Sequence, residues 1–141
     1  MMWARSLAVF PLLIVLAGCN LIGAGSASPT FPQHSGFNGT GPASLVQGKL
    51  VLEAGCLMFE SPGPGFERTL LIWPSSYVPL EDGAGVRGDG VELLLGDEVL
   101  LGGGEYTDEA WVKERLIGPP VKSDCLTGRY ALITSMPQET Q

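Results

Sequence analysis

The sequence predicts a mainly β fold, a small antiparallel barrel or rolled sheet of about six strands, loosely OB-like, with one short helix. Two observations predict this class. Between residues 45 and 135, short apolar runs alternate with Gly-rich and Pro-rich turns. Helix start and stop signals occur together in the segment that follows Thr107. Because hairpins are the simplest connections between short strands, we expect them to roll into one antiparallel sheet.

The predicted strands follow the apolar runs in chain order. The runs occupy 46–53, 56–60, 67–73, 91–95, 98–101 and about 129–134. Gly96 and Asp97 predict a tight type II′ turn, and therefore a hairpin between the two runs that flank them. The three successive glycines at 102–104 are expected to end the second strand of that hairpin.

The predicted helix has recognisable ends. Thr107 can accept a hydrogen bond from a free amide of the first turn, and Asp108 and Glu109 suit the positive end of the helix dipole. Lys113 suits the negative end, and the Gly-Pro-Pro at 118–120 stops the helix. The helix falls one hairpin later than in an OB barrel, so the predicted strand order resembles that fold only loosely.

The chain begins with features of an export signal. One positive charge at Arg5 precedes the apolar run 7–17, which is about half of the ~20 residues needed to cross a bilayer. The run ends in the tetrapeptide Leu16-Ala17-Gly18-Cys19. This ending resembles the lipobox of bacterial lipoproteins, in which small residues precede the cysteine that receives lipid.

The resemblance implies that diacylglycerol is joined to the thiol of Cys19 and that the chain is cut after residue 18, which makes 1–18 a signal peptide. The new amine is often acylated as well, for example with palmitate, and each buried methylene contributes about 0.8 kcal/mol to anchoring. The implied location is the extracytoplasmic face of a bacterial envelope membrane. Two alternatives stay open. One is an uncleaved membrane anchor, and the other is cleavage among the small residues 24–27, which would release a soluble secreted protein.

The rest of the chain divides by composition. Residues 19–44 combine the lipidated cysteine with a tether rich in Gly, Ser and Pro, 45–135 form the β domain, and 136–141 are a disordered tail. As a flexible linker, residues 20–43 would span about 25–30 Å. His34, the single histidine, falls in this tether, so the folded domain is expected to lack an imidazole. That expectation excludes Ser-His-Asp and Cys-His catalysis and His-ligated metals from the domain.

Cys56 and Cys125 form an even pair in an oxidising compartment once Cys19 is set aside. One disulfide is the favoured interpretation, and two buried free thiols are the alternative. A bridge across the intervening chain would stabilise the domain by about 4 kcal/mol. Because Cys56 opens the second predicted strand and Cys125 precedes the last, we expect the bridge to close the barrel.

The charge is acidic. The chain carries −7, and loss of a leader containing Arg5 leaves seven basic against fifteen acidic residues, a formal charge of −8. A surface of that sign repels phosphate backbones, which excludes nucleic acid as a partner. In the Gly-rich loop 81–90, the oxygens of Glu81, Asp82 and Asp89 could converge on calcium. The ligand spacing of an EF-hand is missing, so a solvated acidic face is the favoured interpretation.

Trp73 and Tyr77 are candidate residues for stacking against a ligand, and Trp111 and Tyr130 are further candidates. Core packing is the favoured interpretation for all four, because large aromatic side chains dominate small cores. The Pro-rich segment 73–80 either presents a binding edge or plugs an open end of the barrel, and we favour the plug.

The absence of a catalytic or cofactor motif in the sequence predicts a non-enzymatic protein without a cofactor. We expect an envelope lipoprotein that meets the membrane through lipid on Cys19 and binds a protein or polymer of the envelope. The alternatives are a calcium- or small-ligand-binding module that uses the loop 81–90, and an enzyme that uses carboxylates alone. The domain also resembles small exported bacterial proteins without an assigned role, through Gly55-Cys56-Leu57, Trp73-Pro74 and a glycine-rich strand end. That resemblance implies no activity.

Overall fold

The structure is a computed structural model that describes residues 29–36, 44–62 and 67–136. The predicted signal peptide, Cys19 and residues 137–141 of the predicted tail lie outside the described residues. The elements are, in chain order, β1 (Gln33–His34), β2 (Leu45–Glu53), β3 (Cys56–Glu60), β4 (Arg68–Pro74), β5 (Val78–Pro79), β6 (Gly85–Gly88), β7 (Val91–Leu94), β8 (Glu98–Tyr106), α1 (Glu109–Lys113), β9 (Leu116–Ile117) and β10 (Tyr130–Ser135).

Five strands close into a barrel, which confirms the predicted class of fold. The order around it is β2, β3, β4, β10, β8 and back to β2. All neighbours are antiparallel except β4 and β10, where Tyr130 lies opposite Leu70 and Leu132 opposite Ile72 in parallel register. A hairpin cannot join two parallel strands, so β4 and β10 come from distant parts of the chain. Their pairing, which we call the seam, closes the barrel. The helix α1 lies between the last two barrel strands in sequence, as predicted.

The strands β5, β6 and β7 form a second, three-stranded sheet. The predicted hairpin around Gly96 and Asp97 is therefore wrong. The strand before this turn, β7, pairs with β6, whereas the strand after it, β8, pairs with β2 and β10. The turn residues indicated a change of direction correctly, but tertiary packing selected the partners on either side.

The three glycines at 102–104 lie inside β8 and do not end it, contrary to the prediction. A β-carbon on Gly103 would lie 2.4 Å from the carbonyl oxygen of Leu132. A β-carbon on Gly102 would lie 2.1 Å from the hydroxyl of Ser135, next to an irregularity in the β8–β10 register. The glycines therefore allow the backbones of β8 and β10 to approach closely.

Alternate side chains of the barrel strands face two separate cores. In β4, Leu71 and Trp73 face the interior, whereas Leu70 and Ile72 face the outer layer. The buried interior cluster comprises Val46, Leu50, Leu57, Phe59, Leu71, Trp73, Tyr77, Val86, Leu93, Leu101, Ala131, Ile133 and Met136. Since this cluster includes side chains from 74–97 as well as from the barrel strands, the second sheet packs against the barrel core.

The outer layer covers β3, β4 and β10, and it contains the disulfide between Cys56 and Cys125. The two α-carbons are 5.6 Å apart, and Val112 of α1 packs in the same cluster. Pairing of the two cysteines agrees with the sequence, but the expectation that the bridge closes the barrel is wrong. Backbone pairing of β4 with β10 closes it, while the bridge fastens the segment between β8 and β10 to the outside.

Residues 29–36, which we call the strap, run across the barrel, although the sequence placed them in the tether. The backbone N–H of Thr30 donates to Gly55 at 2.7 Å, and the N–H of Trp73 donates to Pro32 at 2.9 Å. The ring of Phe31 stacks on Trp73 with centroids 5.8 Å apart. Only Gln33 and His34 form a strand here, and this strand pairs with β4 on one side and with β9 on the other. Two residues are too few to give the alternation of apolar and polar residues by which a strand is recognised.

The helix is shorter than its sequence signals suggested, and its N-cap is Asp108 instead of Thr107. The Asp108 carboxylate accepts a hydrogen bond from the N–H of Trp111 at 3.0 Å. Asp and Thr are both good caps, so the local pattern could not separate these neighbours.

Candidate functional site

In the loop 81–90, which was considered as a possible calcium site, Asp89 accepts hydrogen bonds from other parts of the fold. Asp89 accepts hydrogen bonds from the hydroxyl of Tyr77 and, at 3.2 Å, from the N–H of Met136. Glu81 and Asp82 lie exposed on a short 3-10 turn. Within 29–36, 44–62 and 67–136, no group of three or more His, Cys, Asp or Glu side chains is placed to hold a metal. The structure therefore does not bring the three predicted ligands together as a metal site.

The candidate aromatic residues Trp73 and Tyr77 are core side chains, with 0% and 2% of their surface exposed. Burial and the bond to Asp89 raise the pKa of Tyr77 well above its usual value. Neither ring has a face that a ligand in solvent could reach. The favoured interpretation from the sequence was core packing, and it accounts for both positions.

The other two aromatics stabilise the outer layer. Trp111 stacks on Tyr106 with centroids 4.4 Å apart, and the guanidinium of Arg115 lies 3.4 Å from the Trp111 ring centre. Two groups so close cannot share one face of the indole, so they occupy opposite faces. The Tyr130 hydroxyl donates a hydrogen bond to the Glu109 carboxylate at 2.7 Å. Burial, and to a smaller extent this hydrogen bond, raises the pKa of Tyr130 to about 12.

The imidazole of His34 belongs to the folded domain, with 2% of its surface exposed. Its Nε2 lies 2.6 Å from the carbonyl oxygen of Ile133, and its Nδ1 accepts the N–H of Gly36 at 3.0 Å. This pattern assigns the proton of a neutral ring to Nε2. Burial is the main reason that the pKa of His34 is lowered. The expectation that the domain lacks an imidazole is wrong, and the exclusion of histidine chemistry that rested on it no longer holds.

A polar cleft of about 190 Å³ lies where β2 passes from pairing with β8 to pairing with β3. Lys49 marks the crossing point, because it lies opposite Glu98 on one side and Glu60 on the other. The cleft is lined by Gln47, Gly48, Lys49, Glu60, Ser61, Pro62 and Glu98. No residue of this set was a candidate from the sequence.

Gly48 lets β2 pass close to Phe59 beside this cleft. A β-carbon at Gly48 would lie 2.9 Å from the β-carbon of Phe59, so only glycine allows Phe59 to fill the barrel interior here. Arg68 pairs with Glu60 and Glu53, which holds the Glu60 carboxylate at the cleft wall.

The cleft offers one ammonium group, two carboxylates, an amide and a hydroxyl within a small space. Such a set can donate to and accept from a polar group that carries both kinds of hydrogen-bonding atoms. Drug-sized ligands occupy about 300–1,000 Å³, so this cleft fits one sugar ring or one amino-acid residue of a larger molecule.

No family model, curated protein or solved structure matches this chain. Across the described part of the chain, no helix is both long and apolar enough to span a bilayer. The fold class defined by strand order is a closed five-stranded barrel with an outer disulfide layer.

Proposed function

We propose that this protein is a lipid-anchored envelope lipoprotein whose barrel serves as a non-enzymatic binding module. The observation that carries the proposal is the disulfide between Cys56 and Cys125. Disulfides persist in oxidising compartments outside the cytosol, which is where a lipobox leader would deliver the chain. The lipid on Cys19 would then hold the barrel at the extracytoplasmic face of a membrane.

The binding role is supported by the polar cleft at Lys49. Its mixed charges suit a ligand with both amine and carboxylate groups next to hydroxyls, such as a peptide-bearing polymer of the envelope. Backbone pairing within the closed barrel holds the strands that carry Gln47, Lys49 and Glu98, so the backbone of the cleft is preorganised. A preorganised backbone lowers the entropic cost of binding.

Mass spectrometry of the mature protein, purified with detergent from its native host, tests the lipid anchor. The expected product begins at Cys19 with the mass of a diacylglycerol thioether, and it sediments with membranes. The variant Cys19→Ala is the matched control, and it should leave the membrane fraction. A wild-type product that starts downstream of Cys19 without lipid would instead establish a soluble secreted protein.

Titration with muropeptides released from peptidoglycan tests the cleft. Amide resonances of Gln47, Ser61 and Glu98 are expected to shift on binding, and Lys49→Gln should abolish the shifts. Lys122→Gln removes an exposed ammonium elsewhere and should leave binding unchanged. Shifts that are absent in the wild-type protein, or equal losses in both variants, would refute the assignment of the cleft.

A further inference from the structure

Three apolar side chains lie at the end of the barrel where the strap begins. Leu52 and Leu95 are 40% and 38% exposed, and Pro29 is the first residue of the strap. Leu52 and Pro29 both approach Gly83, each with an atom 3.4 Å from the position that a β-carbon there would take. We call Pro29, Leu52 and Leu95 the anchor-side patch.

Backbone hydrogen bonds place Leu95 at the same end of the barrel as Leu52 and Pro29. Its N–H donates to Ala84 at 3.0 Å, directly beside Gly83. The N–H of Leu50 donates to Asp97 at 2.9 Å, so the β2–β8 register continues toward Leu52 and Leu95. The patch is therefore formed by neighbours in space that come from three separate parts of the chain.

The length of chain before Pro29 limits how far this patch can move from a lipid on Cys19. Only nine residues separate the two positions, and as a flexible linker a chain of that length would span about 15–18 Å on average. That distance is about half the diameter of a domain of this size. A tether that lasted until residue 43, as the sequence suggested, would have let the barrel stand clear of the membrane.

We propose that the anchor-side patch rests on the lipid surface, so that the barrel takes a fixed orientation with the cleft at Lys49 directed away from the patch. This inference rests on the proposed lipid at Cys19. A short connection raises the local concentration of bilayer at the patch to about the millimolar range, so weak apolar contact is enough to hold it. Lys49 is three residues from Leu52, at the middle of β2, and this odd separation in a regularly paired strand puts the two side chains on opposite faces of it.

Charge around the patch determines which lipid surface it prefers. The carboxylates of Glu81 and Asp82 are exposed beside Gly83. They repel anionic headgroups, and salt screens that repulsion. The contact is therefore expected to be strongest on neutral phosphatidylcholine and weaker on phosphatidylglycerol, with added salt reducing the difference.

Tryptophan quenching in the lipidated full-length mature protein tests the orientation. The variant Leu95→Trp is placed on phosphatidylcholine vesicles whose acyl chains carry bromine. The matched control is Leu100→Trp, which changes the same residue type at 44% exposure, at the level of Gln47. We expect Leu95→Trp emission to fall about twofold more than that of the control and to shift to the blue, since the patch enters the headgroup boundary.

Flotation and the mass of the Cys19 adduct are measured on the same samples, which separates the two proposals. Protein that lacks lipid and fails to float refutes the lipid anchor itself. Lipidated protein that floats with equal quenching in the two variants overturns the orientation alone. A blue shift of Leu95→Trp without bromine quenching also overturns it, and points to a second protein copy covering the patch.

Discussion

The two ring nitrogens of His34 are both used by the fold. Nε2 contacts the carbonyl of Ile133 in β10, and Nδ1 accepts the N–H of Gly36 in the strap. Protonation would place a second proton on Nδ1, where it faces another N–H donor, and would put a charge in a buried position. The strap is thus attached to the barrel through a group that must stay neutral.

Stability is expected to fall as the pH drops below about 6.5, the ordinary pKa of histidine. Burial lowers the pKa of His34 in the folded protein, so the unfolded chain binds the proton first. The stability that neutral His34 contributes is fully present above pH about 6.5, the pKa of the unfolded chain. It is lost as the pH falls from there to the lower pKa of His34 in the folded protein. Urea unfolding between about pH 5 and 7.5 measures it, and His34→Gln should flatten the slope. Equal slopes in the two proteins would contradict the assignment.

The bond between Tyr77 and Asp89 connects the segment after β4 to the turn after β6. The variant Tyr77→Phe should lower the free energy of unfolding by about 1–3 kcal/mol, because Asp89 loses a partner in a partly buried position. Chemical denaturation measures the change. Tyr106→Phe is the control, and since its ring stacking is kept, it should change stability by less than about 0.5 kcal/mol. Similar losses of unfolding free energy in both variants would show that the hydrogen bond to Asp89 does not stabilise the fold.

At the scale of elements, the contact between β8 and β10 depends on missing side chains. Gly103→Ala should destabilise the protein by about 2–4 kcal/mol, because the new methyl group meets the backbone of Leu132 and no flexible side chain can yield. Thermal unfolding gives the comparison with Gly96→Ala. There the space is open and only the positive φ of 91° opposes the substitution, so a loss of about 1 kcal/mol is expected. A smaller loss at Gly103 than at Gly96 would argue against close approach of the strands.

The strap shows how an element can be fixed without a periodic sequence. Gln33 donates its side-chain amide to the carbonyl of Tyr77 at 2.8 Å, and Phe31 covers Trp73. Each contact joins residues about forty positions apart, so neither leaves a local pattern in the sequence. For this reason the strap was predicted from its composition to be part of a flexible linker.

For the whole molecule, the disulfide and the barrel seam have separate roles. The double variant Cys56→Ala with Cys125→Ala should lose about 4 kcal/mol of unfolding free energy, since the bridge closes a loop of 69 residues. Its far-ultraviolet circular dichroism should stay that of the barrel, because β4 and β10 still pair. Guanidinium unfolding gives the free energy. Unchanged stability would contradict the role of the bridge, and loss of the β signal would contradict the independence of the seam.

Local patterns in the sequence were enough to predict the β class, the positions of β2, β3, β4 and β10, the place of the helix and, as the favoured interpretation, the pairing of Cys56 with Cys125. These follow from alternation, turn residues and cysteine number, which are local or compositional properties. Packing of the whole chain was needed to show that β4 and β10 close the barrel in parallel, that the strap contains a buried His34, and that Lys49 lies opposite Glu98. Each of those contacts joins residues far apart in the chain, His34 and Ile133 being 99 positions apart. Which distant segments meet is set by the packing of the whole core, and no short stretch of sequence records it.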